Sequence, residues 1–182
     1  MVVEDEPDIY DVLLAMFEIW GIEGVAFVDG AEAVSWIEDV DKGIVAGELP
    51  ELAILDIRLP EVTGPEVGAR LRKSTRLGQI AIVMITAYRL TPEEEEQVKA
   101  RAQADALMYK PLPAMLELRK TLDQIIEKRK TLAAAQPAPT VPAALPPQQI
   151  QPAPKPAAPT TPVTPTITPP VPPPAPPTST TK

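Results

Sequence analysis

The 182-residue chain contains no cysteine and no histidine. Without thiols there is no disulfide framework, no thiolate zinc site and no cysteine nucleophile. Without imidazoles there is no histidine base and no histidine metal ligand. Any metal must be held by oxygen atoms, which selects hard ions such as Mg2+, Mn2+ or Ca2+. Aromatic residues are scarce, at 4 %. No apolar run reaches the ~18 residues of a membrane span. The chain opens on Glu4, Asp5 and Glu6, where a secretory leader needs basic residues. A cytoplasmic location with no membrane partner is expected.

Proline is abundant and unevenly placed: of 25 prolines, 18 lie from Pro137 onward. A segment this rich in Pro, Ala and Thr buries too little apolar surface to offset its ordering entropy. Residues 1–135 are therefore expected to form one domain, and residues 136–182 a disordered proline-rich tail that favours extended polyproline II. The tail reads as a spacer, with docking to an aromatic-lined groove as the functional alternative. It carries only Lys155 and Lys182, so the net charge of −8 becomes −10 over residues 1–136. Such acidity repels nucleic-acid phosphates and argues against direct DNA or RNA binding. It suits carboxylates gathered around a cation.

Within residues 1–135, short apolar runs alternate with amphipathic stretches. Residues 7–20 place Ile9, Val12, Leu13, Met16, Phe17 and Trp20 at helical spacing, with Pro7 in the first turn and Gly21 past the end. Residues 24–28 read as a strand, and Asp29 to Glu32 as a capping box that opens a helix toward Val40. Residues 52–55 form an apolar run that stops at Asp56; a helix of about ten residues then leads to Lys73. Residues 80–85 read as a strand buried on both faces. Thr91, Pro92 and Glu94 mark a helix start, residues 106–109 a last strand, and residues 113–132 a last helix. Five βα repeats imply a flavodoxin-like, doubly wound parallel sheet of strand order 2-1-3-4-5, with ligands at the carboxyl ends of the strands.

Four polar positions fall just beyond predicted strands: Glu4-Asp5, Asp56, Thr86 and Lys110. Singly, each is an ordinary turn or cap residue. One fold, however, brings all four to the same sheet edge. Carboxylates crowded there repel one another unless a divalent cation joins them. A carboxylate is a competent nucleophile toward phosphorus, and a lysine and a hydroxyl are suitable donors to phosphoryl oxygens.

In VEDEP (residues 3–7), LAILDIRLPEVTG (52–64), IVMITAY (82–88) and LMYKP (107–111) the sequence resembles the response-regulator receiver family of two-component signalling, over about residues 1–130. The resemblance implies that Asp56 accepts a phosphoryl group from a sensor histidine kinase or a phosphotransfer protein. It implies Mg2+ or Mn2+ held by Asp5, Asp56 and the backbone carbonyl of Arg58, with Glu4 acting through water. Thr86, the amide of Ala87, and Lys110 would hold the phosphoryl oxygens. Signalling would run through contacts with a downstream protein, with residues 91–132 as a candidate face for a phosphorylation-dependent homodimer. No activity is expected beyond the chain's own Mg2+-dependent phosphorylation and dephosphorylation. The alternative is a receiver-fold interaction module indifferent to phosphate. A Mg2+-dependent phosphatase would need an acid two residues after the nucleophile, where Arg58 stands.

Three positions depart from the family pattern. Only three residues precede the acid pair, so either the first strand is short or the true start lies upstream; the second is preferred, because so short a central strand leaves its neighbours partly unpaired. Leu107 stands where the family carries a switching aromatic, with Tyr109 on the same strand face as a partial substitute. Glu4 replaces the commoner Asp. Arg58 and Tyr88, two residues past Asp56 and Thr86, are expected to cover the site and slow water attack.

Overall fold

The computed structural model describes residues 1–135; the tail expected at residues 136–182 lies outside the described residues. Its elements run β1 (Val2–Val3), α1 (Pro7–Ile19), β2 (Ala26–Phe27), α2 (Gly30–Asp41), β3 (Leu52–Asp56), α3 (Gly64–Lys73), β4 (Ala81–Thr86), α4 (Pro92–Ala102), β5 (Ala106–Tyr109) and α5 (Met115–Ala135). All pairings are parallel and the strand order is 2-1-3-4-5, as the alternation of patterns requires. The central strand β1 is only two residues long.

Alternation along the strands divides the core in two. Val3, Ala53, Leu55, Ile82 and Met84 face Ile37 of α2, Leu71 of α3 and Ala102 of α4. Val2, Ile54, Val83 and Ile85 face Leu13 of α1 and Leu118 and Leu122 of α5. Every residue of β4 is buried, which explains why its sequence is apolar throughout rather than alternating.

The helices begin where their sequences place caps. Asp29 accepts the Glu32 amide at 2.7 Å. Thr91 and Glu94 exchange backbone-to-side-chain bonds at 2.8 and 3.3 Å. Helix α5 starts at Met115 rather than near Pro113, because its first ladder bond runs from the Leu118 amide to the Ala114 carbonyl.

Two glycines set how closely the β3–α3 connection packs on the site edge. A Cβ at Gly64 would lie 1.9 Å from the Asp56 carbonyl oxygen, and one at Gly30 would lie 1.8 Å from that of Val62. Only a residue without a side chain allows this approach. Gly64→Ala should therefore force the end of β3 to shift and lower the unfolding free energy by about 2 kcal/mol, the middle of the range for overpacking. Urea titration checks this; an unchanged midpoint would show that the loop relaxes freely.

Candidate active site

Because all five strands are parallel, their carboxyl ends share one edge. Pairing of Val3 with Leu55 brings Glu4 beside Asp56, the last residue of β3. Thr86 ends β4 and pairs with Tyr109; the next amide, that of Lys110, donates to the Thr86 carbonyl at 2.8 Å. Sheet register alone thus assembles residues separated by up to 106 positions.

At this edge the Lys110 ammonium meets three carboxylates. It lies 2.8 Å from Glu4 Oε1, 2.8 Å from Glu6 Oε1 and 2.9 Å from Asp56 Oδ1. The side chains of Lys110, Glu4 and Asp56 are almost wholly buried, at 5, 0 and 7 % exposure, whereas Glu6 reaches in from solvent at 56 %. The second oxygen of Asp56 accepts the Arg58 amide at 2.5 Å, and Thr86 Oγ1 accepts the Tyr88 amide at 3.1 Å. Those bonds tie the loops after β3 and β4 to the two side chains they follow.

Burial, above all, raises the Glu4 pKa above the usual glutamate value, and the Asp56 charge adds to this; Lys110 opposes both. Burial also works against the charge on Lys110, but hydrogen bonds to Glu4, Glu6 and Asp56 outweigh it and hold the ammonium above the ordinary lysine value. One oxygen, Glu4 Oε2, is buried with no hydrogen-bond partner. A buried acceptor left bare costs free energy. One oxygen each of Glu4, Glu6 and Asp56 lies within 4.8 Å of the other two, with a single ammonium among them. Their residual charge of two negatives equals that of one divalent cation. An all-oxygen, under-neutralised cluster with an orphaned buried oxygen fits Mg2+ or Mn2+.

Glu4, Asp56, Thr86 and Lys110 therefore converge as the strand-end pattern expects. Asp5 does not join the cluster: it is exposed, and Glu6 takes the third place. Extended backbone explains the exchange. Side chains two apart share a side, so Glu4 and Glu6 turn inward while Asp5 turns out. That parity was visible in VEDEP, but Glu6 there read only as part of an acidic start. Ala87 lies exposed at the mouth, and Arg58 and Tyr88 stack on each other, the guanidinium 3.7 Å from the ring centre. Leu107 packs against the core face that includes Leu55 and Met84. Tyr109 reaches α4, where its hydroxyl donates to Glu95 at 2.6 Å and accepts the Leu90 amide at 3.4 Å. This tether was not foreseen beyond the shared face of Tyr109 and Leu107.

Comparison with known proteins agrees with the architecture. The family model described as "Response regulator receiver domain" matches residues 1–125. An uncharacterized 14.6 kDa protein of Leptolyngbya boryana is 31 % identical over 68 % of this chain and 86 % of its own length. The polar-differentiation response regulator DivK of Brucella anthropi is 28 % identical over 66 % of this chain and 92 % of its own. The receiver domain of the sensor histidine kinase PA1611 of Pseudomonas aeruginosa, whose crystal structure has a magnesium ion coordinated in the active-site cleft, superposes with a TM-score of 0.57 at 25 % identity, over 69 % of this chain and 94 % of that one. Among the described residues, no helix is long and apolar enough to cross a membrane.

The strained carboxylate makes a pH prediction. Because the folded pKa of Glu4 is raised, its contribution to stability is present below the ordinary value of 4.5 and is lost as pH rises through the folded value. In chelator, Glu4→Gln should therefore gain stability relative to the parent as pH rises from 4.5 toward neutrality. Saturating Mg2+ should reverse the order. Urea titrations of both proteins across that window, with and without Mg2+, check the sign.

Proposed function

Since the chain belongs to the response-regulator receiver family, we propose that Asp56 accepts a phosphoryl group from a phosphohistidine of a sensor histidine kinase or phosphotransfer protein. The observation that carries this reading is the Lys110 ammonium at 2.9 Å from Asp56 Oδ1, in a buried site whose carboxylates outnumber its cations. A carboxylate oxygen of Asp56 attacks phosphorus; the P–O bond forms as the P–N bond breaks, and the imidazole nitrogen keeps the electron pair. A carboxylate attacks without the help of a general base, so the absence of histidine from the chain is no obstacle. Lys110 and the Thr86 hydroxyl, with the Ala87 amide, receive the phosphoryl oxygens.

Mg2+ or Mn2+ is the cofactor of this reading; the oxygens of Asp56 and Glu4, with the Arg58 carbonyl, would hold it. When bound, such a cation draws charge from the phosphoryl oxygens. The Arg58 amide, bonded to Asp56 Oδ2, keeps the Arg58 backbone against the carboxylate. The chain catalyses only its own phosphorylation and hydrolysis, and passes the signal on by protein contacts. The face formed by α4, β5 and α5 is the surface for a downstream protein or a second phosphorylated copy.

Leu107, half-buried against the core, favours a second reading in which partners bind the fold whatever its phosphorylation state. One experiment separates the two. The protein is incubated with acetyl phosphate and Mg2+, and its intact mass is compared with that of Asp56→Asn. A single phosphoryl adduct on the parent, absent from the variant, is expected; an unmodified parent would leave the second reading. A further prediction concerns the stacked pair over the mouth. Arg58→Ala and Tyr88→Ala should each shorten the half-life of the phosphorylated form several-fold, because either change opens the stack to water. Decay of the adduct after donor removal measures this, and unchanged decay would count against the cover.

A further inference from the structure

An ammonium group has three N–H donors: Lys110 directs one at Glu4 and one at Glu6, and its charge lies 2.9 Å from Asp56 Oδ1. Two partners are buried and need the charge. The third, Glu6, is 56 % exposed and could be solvated by water alone. An ion pair so open contributes little to stability. What it changes is direction. A lysine head on a flexible four-carbon stem, held at one point, can swing about that point. Glu4 holds Lys110 from the buried side at 2.8 Å and Glu6 from the solvent side at 2.8 Å, which keeps the charge 2.9 Å from Asp56 Oδ1 with one donor left over. Glu6 is itself well placed: it is the residue before the first turn of α1, and its amide donates to Glu4 Oε1 at 3.2 Å. The two anchors are therefore coupled through one short backbone segment.

We propose that Glu6 is a positioning residue for Lys110, the second of two anchors that hold the ammonium beside the oxygen where the phosphoryl group arrives. The inference rests on the reading of Asp56 as phosphoryl acceptor. On transfer, the attacking Asp56 oxygen becomes the bridging oxygen of an acyl phosphate, the electron pair leaves with the donor nitrogen, and the negative charge beside Lys110 is then that of the phosphoryl oxygens. The remaining donor is free for a phosphoryl oxygen, while Glu4 and Glu6 keep the other two. Lys110 need not leave either anchor to follow the charge.

The test compares the full chain with Glu6→Ala and Glu6→Gln. Phosphorylation by acetyl phosphate at saturating Mg2+, loss of the adduct after donor removal, the Mg2+ concentration for half-saturation and the thermal midpoint are measured for each. Glu6→Ala is expected to slow phosphorylation and hydrolysis several-fold, since both pass through a transition state that Lys110 stabilises. Glu6→Gln, which keeps the acceptor oxygen without the charge, should restore most of both rates. Thermal midpoint should not move, and any shift in Mg2+ half-saturation should be smaller than the change in the rates. Faster phosphorylation in both variants would overturn the proposal, because Glu6 would then act as a charge repelling the phosphodonor. Rates equal to the parent's would show that Glu4 and Asp56 suffice to hold Lys110. A Mg2+ requirement shifted in step with the rates would place Glu6 on the cation instead. A parent that takes up no phosphoryl group overturns the reading of Asp56, and this inference with it.

Discussion

The contact between the Lys110 ammonium and the carboxylates of Glu4, Glu6 and Asp56 is the interaction on which the site depends, and it exists only because of sheet topology. Two of the three acids are buried, and an ionised carboxylate taken out of water is costly unless it is paired. Lys110 pairs with all three at once but supplies one positive charge. Nothing local in the sequence would create such a cluster. It follows from β1 pairing with β3, and from β4 carrying β5 alongside, so that three chain segments end together.

The opposite edge of the sheet shows what a purely structural buried ion pair looks like in this protein. Arg72 lies 3.0 Å from Asp105, and its remaining donors go to the carbonyls of Gly78, Ile80 and Gln103. Asp105 in turn accepts the Ile82 amide at 2.8 Å. Burial lowers the Arg72 pKa to about 10, with Arg129 acting in the same direction and Asp105 against it. Every group there has a partner. At the Asp56 edge, by contrast, charge is unbalanced and Glu4 Oε2 has no partner. A scaffold that satisfies one pole and leaves the other short has concentrated its unmet electrostatic demand where a ligand can meet it.

Much of this was legible in the sequence because it follows from local rules. Thr91-Pro92 opens a helix wherever it is placed, and the apolar run before Thr86 has no solvent-facing alternation, so it had to be a central strand. Asp56, Thr86 and Lys110 were legible as strand-end residues once the fold class was clear. The roles of Glu6 and Tyr109 were harder to read. Glu6 depends on which way the chain turns after β1, since extended backbone brings it in with Glu4 and sends Asp5 out. The hydrogen bond from Tyr109 to Glu95 depends on how α4 docks beside β5, a tertiary distance that no spacing in the sequence encodes. The tether also bears on signal readout. With Leu107 packed against the core, the aromatic connection between β5 and α4 is made one residue before Lys110 rather than three.

The central claim is that Lys110 balances a site built to receive a cation and a phosphoryl group on Asp56. The most direct test is a crystal structure of the full chain grown with Mg2+ and beryllofluoride, a stable mimic of the phosphoryl group. The account predicts beryllium bonded to an Asp56 carboxylate oxygen, fluorine atoms within hydrogen-bond distance of Lys110 and Thr86, and Mg2+ among the acidic oxygens. An Asp56 that stays bare, with Lys110 still on its Oδ1 and no ion in the cluster, would contradict it.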